Sequence, residues 1–137
     1  MRGIILTVFV VFLYSCNSGK EKINYGTFKL YEDDTLVGTI YRIDNFQIEK
    51  YLDESEVVAK IQYTSDSTYI MSGIEKNQVG IDTLKWLNTY RKTGNSKFQI
   101  IAKPQNSDID YEYKATLVKT RNEVPIEFAE RLNELNE

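Results

Sequence analysis

Leu36-Val37-Gly38-Thr39-Ile40-Tyr41-Arg42-Ile43-Asp44-Asn45-Phe46-Gln47-Ile48-Glu49-Lys50-Tyr51 decides the fold class. Up to Arg42 the residues alternate, with Leu36, Gly38 and Ile40 against Val37, Thr39 and Tyr41. Asp44-Asn45 breaks the run. Phe46 and Ile48 then point one way, and Gln47 and Glu49 the other. Alternate residues share a face only in an extended chain, so each run reads as a strand and the break between them as a turn.

The same grammar extends in both directions. Upstream, Gly26-Thr27-Phe28-Lys29-Leu30 sets Phe28 and Leu30 on one face, and Glu32-Asp33-Asp34-Thr35 turns. Downstream, Asp53-Glu54-Ser55 turns into an inward row of Val57, Ala59, Ile61 and Tyr63, with Lys60 and Gln62 outward. Ser65-Asp66-Ser67 leads into Thr68-Tyr69-Ile70-Met71, and residues 75–82 form a longer polar connection containing Gly80. Residues 83–91 fit two descriptions. As a strand they carry Leu84, Trp86 and Tyr90 on one face, interrupted by Asn88; as a helix they would start at Asp82 and stop at Gly94. The strand is preferred, because Gly94-Asn95 is a turn signal and Phe98, Ile100 and Ala102 alternate beyond it. After a polar loop from Pro104 to Ile109, Asp110–Lys119 sets Tyr111, Tyr113, Ala115 and Leu117 against Glu112, Lys114 and Thr116. From Pro125 the period changes: Phe128, Leu132 and Leu135 fall on one helix face bordered by Ala129, and Glu127 and Arg131 have i,i+4 spacing. So short a helix must dock on the sheet or on a partner.

The reading is therefore all-β: an antiparallel meander of roughly eight strands forming a barrel or half-barrel, with a C-terminal amphipathic helix. Closure removes the exposed edges of such a meander, and an eight-stranded barrel either fills with side chains or holds one small ligand. The Gly-x-Phe opening, small size and terminal helix look lipocalin-like. We divide the chain into 1–15, 16–23, 24–120 as the β-barrel-like domain, and 124–136 as the helix.

Residues 1–15 read as a signal peptide: Arg2 supplies the positive charge and Ile4–Leu13 the apolar run. The run is too short for a transmembrane helix of roughly 20 residues. A buried core helix of this length is the other alternative, but the polar 17–22 stretch that follows reads as a tether. Leu13-Tyr14-Ser15-Cys16 resembles the lipobox of bacterial lipoproteins. The resemblance implies that Cys16, the one cysteine of the chain, becomes an acylated N-terminus. Several acyl chains anchor a protein stably where one does not. The expected address is the cell envelope. Asn17, rather than Asp, after the cysteine points to the outer membrane by sorting analogy, and the leaflet stays open. The mature chain also resembles a group of short Bacteroidetes lipoproteins, such as those of flavobacteria. Gly26-Thr27-Phe28, Arg42-Ile43-Asp44-Asn45-Phe46-Gln47-Ile48-Glu49 and Asp110-Tyr111-Glu112-Tyr113 carry that resemblance. It covers most of residues 16–120 and leaves out the helix from Pro125. It implies no activity. Some members bear a DNA topoisomerase IV label, which does not suit a chain this small, acidic and exported.

Composition narrows the chemistry. The 137 residues make one domain, of about 120 residues after processing. The net charge is −3, about −4 without Arg2, with signs interspersed and no basic patch for nucleic acid. A single cysteine allows no internal disulfide, so the fold rests on its apolar core. There is no histidine, which removes the commonest general base and Ser/His/Asp chemistry with it. No phosphate-cradling glycine loop is present. Glu and Asp are plentiful enough for a glycosidase-like pair, but sequence sets no distance between them.

Three sets of residues remain as candidates. Asn106, Asp108, Asp110 and Glu112 lie two apart and would share a face around calcium, though the glycine and late glutamate of a calcium loop are missing and Asn-Ser-Asp is an ordinary turn. No metal or cofactor is assigned. Arg42 continues the Leu36-Gly38-Ile40 face. If that face is internal, Arg42 either meets a buried carboxylate or recognises an anion, and the structural pairing is preferred. Tyr63, Tyr69, Trp86, Tyr90, Tyr111 and Tyr113 either line a ligand cavity together with Arg42 or fill the core. The expected function is non-enzymatic: a membrane-anchored envelope lipoprotein binding a small apolar ligand or a protein partner. The alternatives are a structural or assembly accessory with a filled core and, third, an enzyme.

Overall fold

A computed structural model describes residues 22–74 and 84–137. The segments 1–15 and 16–21, Cys16 among them, and the connection containing Gly80 and Asp82 lie outside the described residues. Within them the chain forms β1 (Tyr25–Glu32), β2 (Thr35–Ile43), β3 (Phe46–Tyr51), β4 (Glu56–Ser65), β5 (Thr68–Gly73), β6 (Lys85–Lys92), β7 (Lys97–Pro104), β8 (Tyr113–Arg121) and α1 (Ile126–Asn136).

Each strand pairs antiparallel with its sequence neighbours, and β1 pairs with β8, so the meander closes into a barrel. The all-β barrel with one terminal helix is consistent with a lipocalin-like architecture, and of the barrel and half-barrel expected it is the barrel. The stretch at 85–92 is a strand, its hairpin with β7 closed by Thr93 N donating to Lys97 O at 2.9 Å. The last strand starts later than the alternation implies: residues 110–112 are irregular and exposed, and β8 begins at Tyr113. Local turns are tight. Asp33 and Asp34 both take positive φ (46° and 63°), the mirror-image turn whose twist matches the flanking strands. Gly26 has φ 123°, and a Cβ there would lie 2.6 Å from Arg121 O, so this approach of β1 to β8 requires glycine.

The barrel is apolar inside and polar outside. Phe28, Leu30, Ile40, Ile61, Phe98, Ile100 and Leu117 are buried within it, while Lys29, Lys60, Lys85, Lys97 and Lys114 face out and are exposed. A membrane-spanning barrel has the reverse polarity. Among the described residues no helix is long and apolar enough to cross a membrane.

One patch of the outer wall is apolar and is covered by α1. Phe128 and Leu132 pack on Ile43, Ile48 and Val58, and the Phe128 ring stacks on Tyr41 with centroids 3.9 Å apart. Arg131 reaches across to pair with Glu56 of β4. Leu135, placed on the apolar face by periodicity, stays 38% exposed because the helix ends beyond the wall it covers. Pro125 lies one position before the helix, where its carbonyl accepts from Phe128 N and Ala129 N.

This packing governs β3. Its apolar residues Phe46 and Ile48 face out under the helix, so Gln47 and Glu49 face into the barrel, where they are 1% and 8% exposed. Replacing Leu132, which is fully buried against this wall, with Ala should cost about 3 kcal/mol in urea unfolding; a loss under about 1 kcal/mol would mean that the helix is dispensable.

Candidate functional site

The barrel interior is filled at one end and hollow at the other. The two ends follow from the topology. The residues leading into β1 from Lys22, the β2–β3, β4–β5 and β6–β7 turns and the β8–α1 connection lie at one end; the β1–β2, β3–β4 and β7–β8 connections lie at the other. Large rings fill the first end. Phe28 and Phe98 meet edge to face at 6.4 Å, and Tyr63, Tyr69 and Tyr90 follow at 5.7 and 5.8 Å. Ile23 plugs it from below, 6% exposed. Toward the second end the inward positions are small: Ala59 on β4, Gly73 on β5, Ala102 on β7 and Ala115 on β8. What these residues leave empty is a cavity of about 410 Å³ opening at that end. That volume lies within the range of small-molecule sites.

Its wall is largely apolar, with Leu30, Ile40, Met71, Trp86, Ile100 and Leu117 among the lining residues. One side carries a row of polar side chains from β2 and β3. Arg42, 1% exposed, donates from Nε and Nη2 to Gln47 Oε1 at 2.9 and 2.5 Å. It also donates from Nη1 to Ile23 O at 2.9 Å and from Nη2 to Tyr69 OH at 3.4 Å. Gln47 faces Arg42 across the β2–β3 ladder, and its amide passes the polarity on. Gln47 Nε2 donates to Glu49 Oε1 at 2.5 Å and lies 3.2 Å from Met71 Sδ. Tyr51 OH donates to Glu49 Oε2 at 2.5 Å. Nearer the opening, Tyr113 OH donates to Glu32 Oε1 at 2.5 Å.

The electrostatics follow from burial. Burial pushes the Glu49 carboxyl above the ordinary carboxylate range, against the opposing pull of Tyr51, Arg42 and Gln47. Burial also opposes the charge of Arg42. Its interactions with Tyr69, Tyr63 and Glu49 outweigh that, and the guanidinium stays protonated. Burial, then proximity to Glu49, raises Tyr51; burial, then the bond to Glu32, raises Tyr113; both phenols remain donors. Arg42 also lies over the Tyr69 and Phe28 rings, 5.1 and 5.7 Å from their centroids.

Of the residues singled out by sequence, Arg42, Tyr69, Trp86, Tyr111 and Tyr113 come together at the cavity wall. Tyr63 and Tyr90 do not line it. They belong to the packed half, because they point inward near the filled end. The Tyr63 hydroxyl is buried close to Arg42 but is not aligned with it for a good hydrogen bond. Tyr111 is on the loop before β8, 51% exposed, its ring edge-on to Trp86 at 6.1 Å. Arg42 meets an acceptor row rather than a carboxylate directly.

Gln47, Glu49, Tyr51 and Asn88 complete the wall. Asn88 was visible only as an interruption of the β6 face; its Nδ2 bonds to Trp86 O at 3.0 Å. The proposed calcium face does not converge. Asn106 Oδ1 accepts from Lys85 N at 2.8 Å, and Glu112 bridges Lys103 and Lys114 at 3.3 and 3.5 Å. Among the described residues no cluster of acidic, histidine or cysteine side chains is arranged to hold a metal ion. Comparisons with protein-family models, curated proteins and solved structures find no match to this chain.

Two outcomes follow from the polar row. Arg42→Met strands the Gln47 and Ile23 acceptors and should cost about 3 kcal/mol of stability; an unchanged urea midpoint would contradict the structural role. Glu49 has a folded pKa above its unfolded one. The folded state therefore binds more protons between those two values, and its stability falls as pH rises through that window. Glu49→Gln should accordingly raise the melting temperature at pH 7, with the gain shrinking as the pH drops toward the unfolded pKa. A gain that grows on acidification would refute it.

Proposed function

We propose that this protein is an exported, lipid-anchored envelope protein whose barrel binds one small, largely apolar molecule without transforming it. The observation that carries the reading is the half-hollow barrel: about 410 Å³ bounded mainly by aliphatic and aromatic side chains, with polar groups gathered on one side. Such a wall rewards an apolar body and orients it by a few polar contacts. An accessory with a filled core has no use for three alanines and a glycine at the inward positions of four strands near one end. The ionisable groups at the wall are fixed by hydrogen bonds to their neighbours, Arg42 to Gln47 and Glu49 to Gln47 and Tyr51, which favours holding over catalysis.

The anchor rests on the lipobox-like Leu13-Tyr14-Ser15-Cys16. Lys22 and Ile23 join the domain at its closed end, where Ile23 O accepts from Arg42. A leash from Cys16 to Lys22 extends at most about 20 Å. The cavity would thus open away from the bilayer that holds the anchor and exchange its ligand with the aqueous side. Leu52, Ile109 and Tyr111, exposed on two loops at the open end, offer apolar footing to an arriving molecule.

Native mass spectrometry of gently extracted protein should show one retained small molecule per chain. A ligand-free protein that co-purifies with a second protein would support the assembly reading instead. Cys16→Ser should move the protein from the membrane to the soluble fraction; a native polypeptide that begins at Met1 and stays in the cytosol would end the anchoring reading.

A further inference from the structure

We infer that the cavity takes an organic cation: an apolar molecule whose protonated amine lies against Glu49. The inference rests on the reading of the barrel as a small-molecule site and adds the head group of the ligand.

Two charged side chains meet the cavity, and their hydrogen-bonding capacity differs. A guanidinium has five N–H donors. Arg42 spends four of them on Gln47 Oε1 (twice), Ile23 O and Tyr69 OH. The single N–H left cannot form the paired bonds with which arginine clamps a carboxylate or phosphate. An incoming anion would have to dismantle the row that holds Arg42 in place. Glu49 is the opposite case. A carboxylate accepts at about four lone-pair sites, and Glu49 receives one bond on each oxygen, from Gln47 and Tyr51. It forms no ion pair among the described residues, because Gln47 stands between it and Arg42. A carboxylate 8% exposed on a cavity wall, which feels Arg42 only across Gln47 and touches no cation, has room for a directly contacting one on the cavity side.

The surroundings favour the same ligand. The charged groups facing this region are Arg42 from β2, Glu49 from β3 and, at the opening, Glu32 from β1 through Tyr113 of β8. Two negative charges stand against one positive charge that is already engaged. Trp86 and Tyr111 flank the opening, and aromatic faces attract cations where they attract no anion.

The test uses three probes that differ only in head group: decylamine, 1-decanol and decanoate, titrated at pH 7 below micelle formation. Trp86 is the single tryptophan and lies on the cavity wall, so its fluorescence reports occupancy directly. Decylamine should bind at least about tenfold more tightly than decanoate and about threefold or more tighter than decanol. In Glu49→Gln the amine and the alcohol should bind within about twofold of each other, since the near-isosteric amide still accepts from Gln47 Nε2, donates to the Tyr51 oxygen in place of accepting from it, and carries no charge. Decanoate as the tightest probe, or an amine no tighter than the alcohol, overturns the cation assignment while leaving the binding reading intact. If none of the three probes binds, both fall. A cooperative melt shows that the variant is folded; should it not fold, the ranking of the three probes on the unaltered protein decides alone.

Discussion

The contact between α1 and the outer wall at Ile43, Ile48 and Val58 is the constraint on which the interior depends. A strand whose side chains alternate can bury its apolar face in only one direction. Without a cover outside, Phe46 and Ile48 would be drawn into the barrel and Gln47 and Glu49 would face water. Phe128 and Leu132 supply the cover. Burial on the outer face then holds the register in which three polar groups in sequence, Gln47, Glu49 and Tyr51's hydroxyl, point inward. The helix lies outside the barrel and contributes no residue to the cavity lining, yet it determines the chemistry of the wall.

Polar groups brought into a barrel must satisfy one another, since water is excluded from the packed end. The row from Arg42 to Tyr51 does so by alternating donors and acceptors. The Gln47 amide is the junction, accepting from the guanidinium and donating to the carboxylate. This arrangement keeps a cation and an anion in the same interior without direct contact. It also divides their roles: Arg42 ties the segment leading into β1, through Ile23 O, to the filled end, and Glu49 is left facing the hollow.

The hollow itself is a consequence of side-chain size along the strands. The inward row of β4 runs from Val57 and Ala59 to Ile61 and Tyr63, and that of β7 from Ala102 and Ile100 to Phe98. In both, the bulkiest residue lies nearest the closed end and an alanine stands toward the open one. Because adjacent strands run antiparallel, the large residues collect at one level and the small ones at another, and the lower level packs while the upper one stays open. This taper was present in the linear order of residues. It became legible only once the register aligned Ala102 with Tyr113, and Ile100 with Ala115, on neighbouring strands.

Period-two alternation and turn chemistry were sufficient, from the sequence, to establish an antiparallel meander, and the change of period after Pro125 established a terminal helix; both are local properties, set by neighbours along the chain. The inward direction of Arg42 was also legible, as an extension of the Leu36-Gly38-Ile40 face. The inward direction of Gln47 and Glu49 was not, because alternation states which residues share a face and not which face is the core. The sorting of the aromatic residues into a cavity wall at Trp86 and Tyr113 and a packed end at Tyr63 and Tyr90 was equally hidden, since it depends on height along the barrel axis. Closure of β1 onto β8 and the docking of α1 decided both questions, because only contacts between distant segments define an inside, an end and a direction.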